Sequence, residues 1–136
     1  RRTWNPGTRL QLTLPMNVRL VEAHPQVQEN RGRVAIVRGP LVFCLESEDH
    51  PDINLDAIGI ALDTSFASTF DEDLLGGVTK LEGTGVLLAP KTNEALYRTA
   101  SPQSHRGPIQ LTAIPYFAWA NRTPRAMHVW LPLVTQ

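Results

Sequence analysis

Cysteine occurs once in this sequence, at Cys44, and lysine only twice, at Lys80 and Lys91. A single thiol excludes an internal disulfide, and it excludes a cysteine-built zinc site within this chain. No apolar run approaches the ~20 residues that cross a bilayer as a helix, so no membrane partner is expected. Excess charge of one sign is also missing. Thirteen basic residues balance 13 acidic ones, and no global positive field draws the chain to nucleic acid. A 3.6-residue apolar period never holds over ten positions, which argues against a helical fold. The sequence opens without Met, and the stretch from Arg1 to Gly7 lacks the apolar core of a secretory signal. It reads as the middle of a longer chain that has been cut.

What is present points to β-structure. The 136 residues have the size of one domain, long enough to bury about two thirds of the unfolded surface. Arginine outnumbers lysine 11 to 2, which supplies fixed hydrogen-bonding forks for turns and interfaces. Leu10-Gln11-Leu12-Thr13-Leu14 alternates apolar and polar positions, as a strand with one buried face does. Arg33 to Val37 and Leu41 to Leu45 form the clearest pair, separated only by Arg38, Gly39 and Pro40, so a tight reversal is expected there. Alternation between Gly/Pro turns predicts strands near 10–14, 17–23, 33–38, 40–46, 55–61, 78–82, 85–89, 109–114 and 126–131. Gly83-Thr84 separates two of these, Asp71 to Leu75 has room for one helical turn, and 90–108 reads as a long excursion. The expected fold is all-β, an antiparallel two-layer β-sandwich of jelly-roll type, with a closed barrel as the structural alternative.

Few residues suggest chemistry. Cys44 stands between Phe43 and Leu45, where a thiol packs as a small inert hydrophobe. A nucleophile would need a base beside it, and spacing does not bring His24, His50, His105 or His128 there. Glu46, Glu48, Asp49, His50 and Asp52 form an acidic stretch that reads as a solvated loop. Its oxygens could take a hard cation, but the spacing is not that of an EF-hand. Tyr116, Phe117 and Trp119 fit either packing at a core or domain interface or stacking on a sugar ring. Trp130 sits in an alternating strand and is expected in the core, with Gly39 and Pro40 as structural turn residues. Asn121-Arg122-Thr123 matches a glycosylation acceptor weakly, because Pro124 follows. Gly76-Gly77 lacks phosphate-cradling spacing.

Taken in order, several blocks resemble one family. They are Arg2-x-Trp4, Leu14-Pro15-Met16, Asn30-x-Gly32-Arg33-Val34-Ala35, the run from Arg38 to Glu46, Leu74-Leu75-Gly76-Gly77-Val78, and the run from Ile114 to Arg122. Together they are similar to the C-terminal part of bacterial glycoside hydrolase family 127, which contains the β-L-arabinofuranosidases. The likeness runs from Arg2 to about Leu131. Two departures stand out: Gly7-Thr8 replaces the Gly-Asp common in relatives, and no block aligns between Pro90 and Pro108.

The resemblance implies that catalysis lies upstream, in a helical (α/α)-barrel where a cysteine nucleophile works beside a zinc held by glutamate and cysteines. Cys44 matches neither the nucleophile nor a zinc ligand, so no catalytic residue carries over and the zinc belongs to the parent's catalytic domain. Residues 1–136 are therefore expected to form one accessory β-sandwich domain, with the first residues belonging to the preceding domain or linker. The isolated chain is expected to be inactive. Its expected partner is the helical catalytic domain of the same polypeptide, docked through Tyr116, Phe117 and Trp119, or a second copy in a homo-oligomer. The alternatives are a carbohydrate-binding module for arabinose-containing oligosaccharides and a ligand-free structural domain. A soluble bacterial protein is expected, and cytoplasm, periplasm and secretion all fit.

Overall fold

The computed structural model describes residues 3–89, 97, 99 and 104–134. Nine strands run in chain order: β1 (Val18–Glu22), β2 (Arg33–Arg38), β3 (Leu41–Glu46), β4 (Ile58–Ala61), β5 (Phe66–Asp71), β6 (Val78–Leu88), β7 (His105–Pro115), β8 (Met127–His128) and β9 (Trp130–Val134). Three short 3₁₀ turns, Gln28–Asn30, Leu55–Ala57 and Tyr116–Ala118, join them, and no α-helix occurs among the described residues. Accordingly, no helix there is long and apolar enough to cross a membrane.

The pairing corrects the expected two-layer sandwich. Strands follow the order β2-β9-β4-β6-β7-β3, and β3 pairs back onto β2, so six strands close a barrel. β1 adds to β2, β5 to β6 and β8 to β3 outside the ring. Every pairing is antiparallel except β4 with β9, where Ile60 lies opposite Leu133. The core reports the same closure. Val34 and Ile36 from β2, Phe43 and Leu45 from β3, Ile58 and Ile60 from β4, Leu81 from β6, Leu111 and Ala113 from β7, and Leu131 from β9 form one buried cluster. All six ring strands feed a single interior, where a sandwich would present two facing sheets.

Local chemistry explains the closure. β2 and β3 are joined by Gly39-Pro40 alone, and Gly39 has φ +56. Glycine at the first position of a two-residue hairpin loop supplies the positive φ that matches strand twist. A Cβ at Gly39 would also stand 2.4 Å from Met16 Sδ. The expected break at Gly83-Thr84 is absent, since β6 runs unbroken for 11 residues. Its glycines instead admit close neighbours, Phe66 at Gly83 and Leu111 at Gly85. A Cβ at Gly85 would lie 2.8 Å from Leu111 Cδ1 and 2.9 Å from the Gly59 carbonyl.

Other expectations change as well. Residues 10–14 form no strand, and β5 lies where none was expected. The range expected as strand at 55–61 opens with a 3₁₀ turn, and Asp71 to Leu75 contains no helical turn. Asp71 instead ends β5 and accepts from the Asp73 and Leu74 N–H groups, at 3.2 and 3.1 Å. The Leu74 N–H, with Lys80 close by, holds its carboxyl below the usual range. Of the expected excursion over 90–108, residues 105–108 belong to β7, and 90–96, 98 and 100–103 lie outside the described residues.

Candidate functional site

The surface with the most chemical definition is the turn after β7. The run from Tyr116 to Trp119 is not extended: Tyr116–Ala118 is a 3₁₀ turn, closed by the Trp119 N–H donating to the Tyr116 carbonyl at 3.2 Å. Ala118 points inward. It joins a second buried cluster with Cys44, Val78 and Ile114, flanked by Leu74, Leu75, Met127 and Val129. The aromatic side chains point outward, with Phe117 66%, Tyr116 47% and Trp119 39% exposed. The Tyr116 and Trp119 rings lie 6.2 Å apart with planes 17° from parallel.

This turn rests on an ion-pair clamp. Glu46, the last residue of β3, is only 1% exposed. Arg122 donates to both Asp49 oxygens, Nη1 to Oδ1 at 2.7 Å and Nη2 to Oδ2 at 2.6 Å. The same Nη2 also donates to Glu46 Oε2. The other Glu46 oxygen accepts the Ala120 N–H at 2.9 Å. Ala120 itself adopts φ +59, a left-handed conformation costly for a residue with a Cβ. Asn121 Nδ2 donates to the Ala118 and Trp119 carbonyls at 3.1 and 3.2 Å. A two-pronged guanidinium–carboxylate pair fixes orientation as well as distance. Hydrogen bonding to Asp49 holds the Arg122 pKa above even its ordinary high value, so the clamp stays charged.

His50 completes the underside of the turn. Its Nδ1 lies 2.8 Å from the Glu46 carbonyl, and its Nε2 is 3.3 Å from the Thr112 N–H. A carbonyl can only accept and an N–H can only donate. Nδ1 therefore donates to the Glu46 carbonyl and Nε2 accepts from the Thr112 N–H. The acidic stretch is only in part the solvated loop expected of it: Glu48, Pro51, Asp52 and Asn54 are exposed, but Glu46 and His50 are buried, and the Glu46 and Asp49 carboxylates are engaged by Arg122. Glu48 pairs with Arg125 at 2.6 Å. Asp52 lies apart, on a cleft of about 670 Å³ shared with Arg31, Arg33 and Arg106. No cluster of three metal-ligating side chains forms among the described residues.

Cys44 lies in β3 on the outer side of the barrel, covered by the second cluster. Its thiol lies 3.7 Å from the Ile114 carbonyl, and burial, reinforced by Glu46 and Asp49, pushes its pKa up to about 12. Such a thiol makes no thiolate near neutral pH. Trp130 lies in β9 and is partly buried, its carbonyl accepting from Arg33 Nη1 at 3.0 Å. Gly39 and Pro40 form the loop of the β2–β3 hairpin. Sequence reasoning named the three aromatic residues but missed Arg122 as their anchor. The available signal was a charged residue, Glu46, closing an apolar strand with no loop residue between.

Fold and surface together define a small β-barrel domain that presents an aromatic turn. The chain belongs to the glycoside hydrolase family 127 C-terminal domain family, whose profile matches residues 18–132. It is 36% identical over 131 residues to a non-reducing end β-L-arabinofuranosidase of Bifidobacterium longum, covering 93% of this chain and 20% of that protein. Among solved structures, a family 127 β-L-arabinofuranosidase from Geobacillus stearothermophilus T6 superposes with a TM-score of 0.75 at 38% identity, over 88% of this chain and 18% of that one. A second structure, a glycoside hydrolase, gives 0.77 at 36% identity, over 88% and 20% respectively. The chain therefore spans about a fifth of the length of the relatives it matches.

Proposed function

We propose that this chain is a non-catalytic accessory domain of a β-L-arabinofuranosidase-like glycoside hydrolase, docked by its aromatic turn on the helical catalytic domain. The observation that carries this reading is the pairing of three exposed aromatic side chains with a part-buried clamp that hydrogen-bonds the backbone of their turn. Tyr, Trp and Phe are enriched at the centres of protein interfaces. A turn already fixed by Glu46, Asp49 and Arg122 loses little conformational freedom when covered. The relatives, five times as long, supply the polypeptide that would cover it.

The carbohydrate-binding alternative draws on the near-parallel Tyr116 and Trp119 rings. These rings stack on each other, which occupies aromatic face that a pyranose or furanose would need, and the cleft bearing Asp52 is lined by other residues. In the isolated chain, Phe117→Ala and Trp119→Ala should each cost at most about 1 kcal/mol of folding stability, the worth of an exposed aromatic pair. In the complete enzyme Trp119→Ala should weaken the domain contact by about 2 kcal/mol or more, read as a lowered unfolding temperature of the catalytic domain. Isothermal titration of the isolated chain against arabino-oligosaccharides should show no saturable binding tighter than about 1 mM. Tighter binding that disappears in a folded Trp119→Ala variant would replace docking with sugar recognition. The isolated chain should also leave aryl arabinofuranosides intact.

A further inference from the structure

Leu10-Gln11-Leu12-Thr13-Leu14 has the alternation of a strand with one apolar face, yet it pairs with no strand among the described residues. Leu10, Leu12 and Leu14 are 77%, 82% and 65% exposed. Single exposed leucines are ordinary, but three at alternate positions share one face wherever the segment is extended. This leucine row is bounded on both sides. Before it, Thr8 and Asn5 close a turn, with the Thr8 N–H donating to the Asn5 carbonyl at 3.0 Å. After it, Pro15 interrupts the row, and the Gly39 N–H donates to the Asn17 carbonyl at 3.4 Å, tying the segment to the β2–β3 hairpin. Two observations indicate what covers the row. The match to the C-terminal domain family begins at Val18, so the row lies before that domain, and the chain spans only 20% of the arabinofuranosidase it resembles, which carries further polypeptide.

We infer that residues 9–15 are a β-strand of a sheet in a neighbouring domain of the same enzyme. Leu10, Leu12 and Leu14 then enter that domain's core, while Gln11 and Thr13 face away from it. An extended segment needs partners for its main-chain N–H and C=O groups as well as for its leucines, and an open sheet edge supplies both at once. The barrel is thereby joined to its neighbour by a shared strand whose far end is fixed at Met16 and Asn17. This inference rests on the reading of the chain as one domain of a longer enzyme, but not on the aromatic turn.

Hydrogen exchange with mass spectrometry, run on the complete enzyme and on the 136-residue chain, tests it. Amides of residues 10–14 should exchange at least ~100-fold more slowly in the enzyme than in the isolated chain. Leu12→Asp should lower the enzyme's unfolding temperature by several degrees while leaving that of the isolated chain unchanged, and Thr13→Asp should do much less. Equal exchange in both proteins would overturn the inference. So would protection that grows with concentration in the isolated chain, which would assign the strand to a second copy. Equal damage by Leu12→Asp to both proteins would also overturn it. A Phe117→Ala enzyme run in parallel separates the two proposals, because loss of aromatic docking leaves protection at 10–14 in place.

Discussion

Arg122 is the residue on which the aromatic turn depends. Its guanidinium neutralises two carboxylates, and one of them, Glu46, is almost wholly buried. Removing the cation strands that charge, so Arg122→Ala should cost about 3–5 kcal/mol. Arg122→Lys should recover only part of this, because an ammonium cannot engage both Asp49 oxygens in a fork. Chemical denaturation of the three proteins decides it, and a loss below about 1 kcal/mol for Arg122→Ala would mean that Glu46 finds another partner. Cys44 gives a pH-dependent counterpart. Its folded pKa, near 12, lies above the value of an unfolded cysteine, so the unfolded state releases its proton first. The stabilisation is complete below about pH 8.5 and declines as pH rises toward 12. Cys44→Ala should flatten that part of the stability curve, and a thiol reagent at pH 8 should label the native protein far more slowly than the denatured one.

At the scale of elements, alternation revealed strands more readily than it revealed their partners. The runs that became β1 and the central part of β7 alternate and turn one face toward the core, whereas β2 and β3 are unbroken apolar runs, buried on both faces over Val34 to Val37 and Phe43 to Glu46. Whether the strands close was not visible, because a sandwich and a barrel leave the same pattern on each strand. Two glycines misled in opposite directions. Gly39 does turn the chain, whereas Gly83 lies inside a strand because Phe66 occupies the space of its missing side chain. β5 was missed because Ala67, Ser68 and Thr69 are small or polar and exposed on an edge. The clamp at the aromatic turn was illegible for another reason: Glu46 and Arg122 stand 76 positions apart, and only the β3–β7 and β3–β8 pairings bring them together. A strand-interior glycine also yields a sharp expectation. Gly85→Ala would push a Cβ against Leu111 and the Gly59 backbone, and should cost about 1–3 kcal/mol. The neighbouring exposed Thr84→Ala should stay within about 0.5 kcal/mol. Thermal unfolding of both variants checks this, and equal effects would show that β6 can shift to make room.

At the scale of the whole molecule, the ring is sealed by its final strand. β9 lies between β2 and β4, and its contact with β4 is the single parallel pairing in the ring. During synthesis the ribosome delivers β2 and β4 long before β9, so both must wait with an unsatisfied edge. A nascent chain stalled after β8 holds five of the six ring strands and still cannot become a cylinder. For this domain, commitment to the native topology is therefore a late event in translation. The interval before it is when the exposed β2 and β4 edges most need shielding from neighbouring chains.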